Sequence, residues 1–189
     1  MRSKGGAAVI LAAGSSQRFG ADKRLAMIND RPMVVRALQP YLAHLQSVYV
    51  VLRPNDSVRT VLPQEICVIE APDAHLGMGH SLAAAAKQLT AFEWVLVGLA
   101  DMPWISPDTI ARVKEHISKL ENAIVRPSYG GRSGHPVAFT ANFLDQLKTL
   151  TGDVGARAVV DRNRAKLIDL DVDDNAILRD IDTPEQIRE

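Results

Sequence analysis

Apolar residues along this chain fall into two spacings. Short unbroken runs at residues 8–11, 48–52, 67–69, 95–99 and 123–125 are bounded by Gly, Pro, Asn or Asp and read as buried strands. Between them the apolar positions recur every three to four residues, which predicts helices at about 33–44, 81–90 and 107–120. The last of these opens Ser106-Pro107-Asp108, a serine N-cap followed by proline at the first helical position. Unbroken apolar strands alternating with amphipathic helices predict a mostly parallel, Rossmann-like sheet covered on both faces, a three-layer α/β/α architecture. After residue 126 the pattern changes. Residues 128–134 form a glycine-rich turn and 136–139 a further strand, together a hairpin. Two short helices are expected at 142–150 and 155–162, and the chain ends in a helix starting at Pro184. No repeat, low-complexity tract or linker interrupts residues 1–189, so one domain is expected.

Composition narrows the function classes. The 189 residues are 47% hydrophobic and 23% charged, with 22 basic against 22 acidic side chains. Zero net charge argues against a broad nucleic-acid or acidic-membrane footprint, and no apolar run approaches the roughly 20 residues of a membrane helix. The single cysteine, Cys67, fits a cytoplasmic protein and is expected to be a small core residue.

Candidate chemistry gathers at strand ends, where open parallel sheets place their ligands. The first apolar run stops at Gly14 and continues Ser15-Ser-Gln-Arg18-Phe-Gly20-Ala-Asp-Lys23. Outward-facing amides and two cations make a place for a polyphosphate. Five residues separate Gly14 from Gly20 and Lys23 comes late, so this is neither a P-loop nor the Gly-x-Gly-x-x-Gly dinucleotide fingerprint. Asp101 follows the run at 95–99, and Asp182 sits in the turn near the end of the chain. Two carboxylates converging on a polyphosphate suit Mg2+. The segment Gly77-Met-Gly79-His-Ser81 follows another strand; its glycines permit close backbone approach to a ligand, with Ser81 expected to begin a helix. None of the five histidines has metal-ligand spacing. His44 and His116 read as surface or packing residues, Trp94 and Trp104 as packing, and His135 as a candidate site residue.

Taken together these segments resemble the nucleotidyltransferases that act on molybdenum cofactor. The resemblance is carried by Leu11-Ala-Ala-Gly-Ser-Ser-Gln-Arg-Phe-Gly with Lys23, then Gly77-Met-Gly-His-Ser-Leu, Leu99-Ala-Asp-Met-Pro, Arg126-Pro-Ser-Tyr, Gly134-His-Pro-Val, Gly152-Asp-Val-Gly-Ala-Arg and Asp180-Ile-Asp-Thr-Pro. These occur in family order over nearly the whole chain. Leu-Ala-Ala-Gly, His-Pro-Val and Gly-Asp-x-Gly-Ala-Arg are similar to the cytidylyl branch, whereas guanylyl relatives tend to read Leu-Ala-Gly-Gly. The Asp22-Lys23 pair is common in the guanylyl relatives.

The resemblance implies the nucleotide-diphospho-sugar transferase type of fold. It also implies transfer of a nucleotidyl group, CTP favoured, to the phosphate of a molybdopterin-type cofactor with release of pyrophosphate. By it, Arg18 and Lys23 hold the triphosphate, and Asp101 and Asp182 hold Mg2+. Leu11, Ala12, Ala13, Gly14 and Ser15, with Gly79 and Ser81, frame base and sugar, and Arg126 and His135 face the acceptor. Transient contact with an apo-molybdoenzyme or its chaperone is a further implication. Alternatives within the class are a guanylyltransferase or an enzyme for another small phosphorylated acceptor. A different class is a non-catalytic nucleotide- or cofactor-binding accessory protein, and a redox dinucleotide enzyme stands third because its fingerprint is missing.

Overall fold

A computed structural model of the chain describes residues 3–14 and 19–187. A mostly parallel sheet runs through it. Strands β1 (Ser3–Leu11), β4 (Val48–Leu52), β5 (Cys67–Glu70) and β6 (Phe92–Leu99) are mutually parallel in the order β5-β4-β1-β6. Beyond β6 comes β9 (Val137–Thr140), antiparallel to both its neighbours, then β7 (Ile124–Tyr129) and β10 (Leu167–Asp171), which are parallel to each other. The arms of the expected hairpin, β7 and β9, pair antiparallel, and within the stretch expected to be its turn a shorter hairpin forms between β7 and β8 (Arg132–Ser133). Its turn residues Gly130 and Gly131 both have positive φ, 55° and 76°, the backbone that a two-residue hairpin connection needs. A separate two-stranded piece pairs β2 (Met27–Ile28) with β3 (Arg31–Pro32).

Alternation along the strands makes two cores. Ala7, Val9, Leu11, Val95 and Val97 face one side, packed with residues of α2 (Met78–Gln88), α4 (Leu144–Lys148) and α5 (Arg157–Arg162). Ala8, Ile10, Ala12, Trp94 and Leu96 face the other, packed with α1 (Met33–Leu42) and α3 (Pro107–Ile117). Both faces are thus covered, as unbroken apolar strands require. Ser106 caps α3 as expected, accepting from the Asp108 amide at 3.2 Å. Among the described residues no helix is long and apolar enough to cross a membrane.

Two expectations need correction. Ser81 does not begin its helix: α2 starts at Met78, with Gly77 at the N-cap, and Ser81 lies inside it, 4% exposed. The Gly79 amide, bonded to Gly152 O at 2.7 Å, anchors the earlier start. Cys67 is exposed rather than in the core, because β5 is the edge strand of the sheet.

Candidate active site at the ends of β1 and β6

The strand order reverses at β1, whose connection leads to β4 on one side while β6 lies on the other. Such a switch point opens a crevice beyond the strand ends. Ala12 leaves β1 with its amide on Val51 O at 3.0 Å, and the Ala100 amide donates to Leu11 O at 3.1 Å. The loop after β1 and the loop carrying Asp101 therefore emerge side by side. Leu11, Ala12 and Ala13 are buried and Gly14 is exposed. Ser15 and Arg18 lie outside the described residues.

Asp101 is joined by two further carboxylates. The Ile181 amide donates to Asp101 O at 2.9 Å, so the segment 180–182 runs past the end of β6. One carboxylate oxygen each from Asp101, Asp180 and Asp182 lies within 4.8 Å of the others. Lys23 Nζ donates to Asp101 Oδ2 at 2.9 Å, Ile181 O at 2.7 Å and Asp182 Oδ1 at 3.2 Å. Burial alone would pull the Lys23 ammonium down, but hydrogen bonds and charge from Asp101 and Asp182 outweigh it and hold the pKa above the ordinary lysine value. Among the described residues Asp101 Oδ1 is buried without a hydrogen-bond partner. The sequence reading placed Lys23 on the triphosphate; the structure places it inside the acidic cluster. It also adds Asp180, whose i, i+2 relation to Asp182 was the available signal.

Three carboxylates with oxygens this close, one of the acids carrying a buried oxygen without a hydrogen-bond partner among the described residues, fit a hard divalent cation. Gln186 Oε1 accepts from the Asp182 and Thr183 amides at 2.6 and 2.9 Å. It supplies the local turn's cap and leaves the Asp182 carboxylate for the cluster.

His135 and Arg126 border a neighbouring cleft of ≈ 370 Å³ whose walls include Leu11, Leu99, Val137, Val154 and Val160. Burial lowers the His135 pKa, against opposing effects of a backbone hydrogen bond with Val97 and the charges of Asp101 and Asp180. Its Nδ1 is buried without a partner among the described residues. Arg126 is paired with Asp169, at 2.5 and 3.3 Å, and Ser133 Oγ donates to the same carboxylate at 3.1 Å. The two residues expected on the acceptor side thus share one cleft, with the charge of Arg126 balanced by Asp169 at the surface. A groove of ≈ 410 Å³ beside α2, lined by Glu70, His80, Lys87 and Lys148, includes none of the cluster's acids.

The Gly77–Gly79 segment has a more structural part than its sequence suggests. A Cβ on Gly79 would stand 2.6 Å from Thr151 O and 2.8 Å from Gly152 O. Its close approach is to the 151–155 loop, and its amide is taken by Gly152 rather than offered to a ligand.

Fold and site define an α/β domain with a mostly parallel sheet and an acidic cluster at the switch point. Residues 8–167 match the MobA-like NTP transferase domain, and the chain belongs to that family. A nicotine blue oxidoreductase from Paenarthrobacter nicotinovorans is 30% identical over 95% of this chain and 93% of its own length. A probable molybdenum cofactor guanylyltransferase from Geobacillus sp. (strain WCH70) is 25% identical over 66% of this chain and 64% of its own. Among solved structures, Rv0371c from Mycobacterium tuberculosis H37Rv superposes with a TM-score of 0.83 at 26% identity, covering 97% of this chain and 96% of that one. The manganese complex of Rv0371c gives 0.73 at 22% identity, over 91% and 89%.

Proposed function

We propose that this chain transfers a nucleotidyl group from a nucleoside triphosphate to the terminal phosphate of a molybdopterin-type cofactor. A phosphate oxygen of the acceptor attacks the α-phosphorus; the bond from that phosphorus to the bridging oxygen breaks, and pyrophosphate leaves with the electron pair. The observation that carries this reading is the acidic cluster Asp101, Asp180 and Asp182 at the end of β6, beside the loop after β1.

Both reactants are anions, so catalysis rests on positioning and charge neutralisation. Asp101, Asp180 and Asp182 would hold Mg2+, and the manganese complex of Rv0371c favours a divalent ion in this fold. Such an ion would neutralise phosphate charge when bound. Lys23 holds two of the three carboxylates in register and puts a fixed positive charge among them. Arg18 is assigned to the triphosphate by its place in the signature. The acceptor phosphate is ionised at neutral pH and needs no general base. His135 and Arg126 border the cleft that would take the acceptor's body.

CTP is the triphosphate we favour, because Ala13, buried at the end of β1, stands where the guanylyl branch tends to carry glycine. The relatives named guanylyltransferases make GTP the competing base. The nucleotide-bearing product would then pass to an apo-molybdoenzyme or its chaperone. The test is pyrophosphate release from CTP, GTP, ATP and UTP with Mg2+ and molybdopterin-type acceptor. Release with none of them removes the proposal.

A second reading follows from the oxidoreductase relative, which matches nearly end to end while the guanylyltransferases match over about two thirds. Following the absorbance of nicotine blue in the presence of a nicotinamide dinucleotide separates the two. Dye turnover without pyrophosphate release would favour the redox reading.

A further inference from the structure

We propose that Arg24 is a positioning residue of the phosphate loop, a role that rests on the nucleotidyl-transfer reading of the same site. Arg24 is 3% exposed, unusual for an arginine. Among the described residues its guanidinium makes five hydrogen bonds, as many as it has N–H donors. Nε donates to Asp22 Oδ1 at 2.8 Å and Nη2 to Asp22 Oδ2 at 2.6 Å. Nη1 and Nη2 fork onto Asp56 Oδ2 and Oδ1 at 2.8 and 3.0 Å. The fifth bond runs from Nη1 to the carbonyl of Ala12.

Three segments meet at this group: the exit of β1, the turn that carries Lys23, and the connection after β4. Asp56 is fixed independently, accepting from the Val58 amide at 3.1 Å and from Arg53 Nε at 3.2 Å. Asp22 also accepts from the Arg24 amide at 3.1 Å, which caps the 3-10 turn Lys23–Leu25. Within that turn, neighbouring side chains serve different partners. Arg24 goes to Asp22, Asp56 and Ala12, and Lys23 goes to Asp101 and Asp182. Arg24 thereby ties the start of the phosphate loop to the turn that presents Lys23. It bonds to none of the cluster's acids; it sets where Lys23 and the start of the loop after β1 stand. Lysine cannot replace it, because a point charge with three donors lacks the fork that serves two carboxylates and a carbonyl at once.

The test compares wild type, Arg24→Lys and Asp22→Asn, each with Mg2+. Asp22→Asn removes one arm and keeps the buried Arg24–Asp56 pair, so it carries the test if Arg24→Lys fails to fold. Two quantities are read: kcat/KM for pyrophosphate release, and amide exchange of the peptides covering residues 11–14 and 23–26. The expected result is a fall in kcat/KM of at least tenfold, consistent with the sensitivity of transfer sites to ångström-scale displacement. Exchange should speed up at least tenfold in those two peptides while β4 and β6 keep wild-type protection. A folded variant with wild-type exchange in both peptides overturns the proposal. So does faster exchange spread evenly over the sheet, which is the signature of a merely structural residue. If the wild type releases no pyrophosphate from any triphosphate, the transfer reading fails, and the exchange data alone decide whether Arg24 tethers the loop.

Discussion

Asp101→Asn separates a carboxylate kept for metal and phosphate chemistry from one kept for folding. The substitution is nearly isosteric and leaves an oxygen for Lys23 Nζ, now 2.9 Å from Oδ2. Two unit charges at the cluster's outer separation of 4.8 Å repel by about 3 kcal/mol at an effective dielectric of about 20. Asp180 is exposed, so solvent screening reduces this further. The change relieves two such repulsions and gives up one closer attraction, to Lys23. These largely cancel, so metal-free stability should shift by no more than about 1 kcal/mol, or roughly 2–4 °C in Tm for a chain of this size. Divalent binding should respond differently. At a hundred times its Kd, a bound Mn2+ or Mg2+ should stabilise the wild type by about 2.7 kcal/mol, a rise of roughly 5–11 °C. The variant should lose more than half of that rise, and kcat should fall by about 10²-fold or more, the usual scale for deleting one preorganised electrostatic group. Differential scanning fluorimetry with and without the ion, beside a pyrophosphate assay, measures both. An undiminished metal-induced rise in the variant would mean that Asp101 is not a metal ligand, and a collapsed metal-free Tm would mean that it is kept for folding.

The remaining predictions concern the scaffold. Gly79→Ala should destabilise by about 1–3 kcal/mol in urea unfolding through overpacking, since its Cβ would meet Thr151 O and Gly152 O at 2.6 and 2.8 Å; stabilisation would mean that the loop gives way easily. Tyr41→Phe should be neutral or stabilising by up to about 1 kcal/mol, because the Tyr41 hydroxyl is buried without a partner among the described residues; a large loss would show an unrecognised bond. The Asp22 carboxyl is held below its ordinary value by its hydrogen bonds to Arg24. For Asp56, burial pushes upward but bonds from Arg24, Val58 and Arg53 win, and the net direction is also down. Unfolded chains therefore take up these protons first, so the stability from both acids is complete above about pH 4 and is lost as pH falls through the lower folded values. Asp56→Asn should flatten that acid limb in pH-dependent urea melts; an unchanged limb would contradict the assignment.

Strands whose residues are buried on both faces were legible as unbroken apolar runs, and so were the helices packed on them. β10 was not, because Leu167-Ile-Asp-Leu-Asp alternates half-buried apolar residues with exposed acids at a sheet edge. The antiparallel insertion of β9 between β6 and β7 depends on long-range pairing that no local pattern encodes. The start of α2 was misplaced because Gly77, the true N-cap, offers no side-chain capping bond. At the site, Asp101 and Asp182 stood out as acids at a strand end and a turn. Asp180 was overshadowed by its neighbour two residues on. No local pattern distinguishes Arg24 from the neighbouring Lys23, and only the fold brings Asp56 from 32 residues away to meet it.

The acidic cluster at the end of β6 is proposed to serve nucleotidyl transfer. Pyrophosphate release measured for wild type and Asp101→Asn, with each of the four triphosphates, Mg2+ and molybdopterin-type acceptor, tests it most directly. Acceptor-dependent release is expected from one pyrimidine or purine triphosphate, CTP favoured, abolished by chelation and lowered about 10²-fold or more by Asp101→Asn. No release from any triphosphate with competent acceptor, or equal release by the variant, would contradict it.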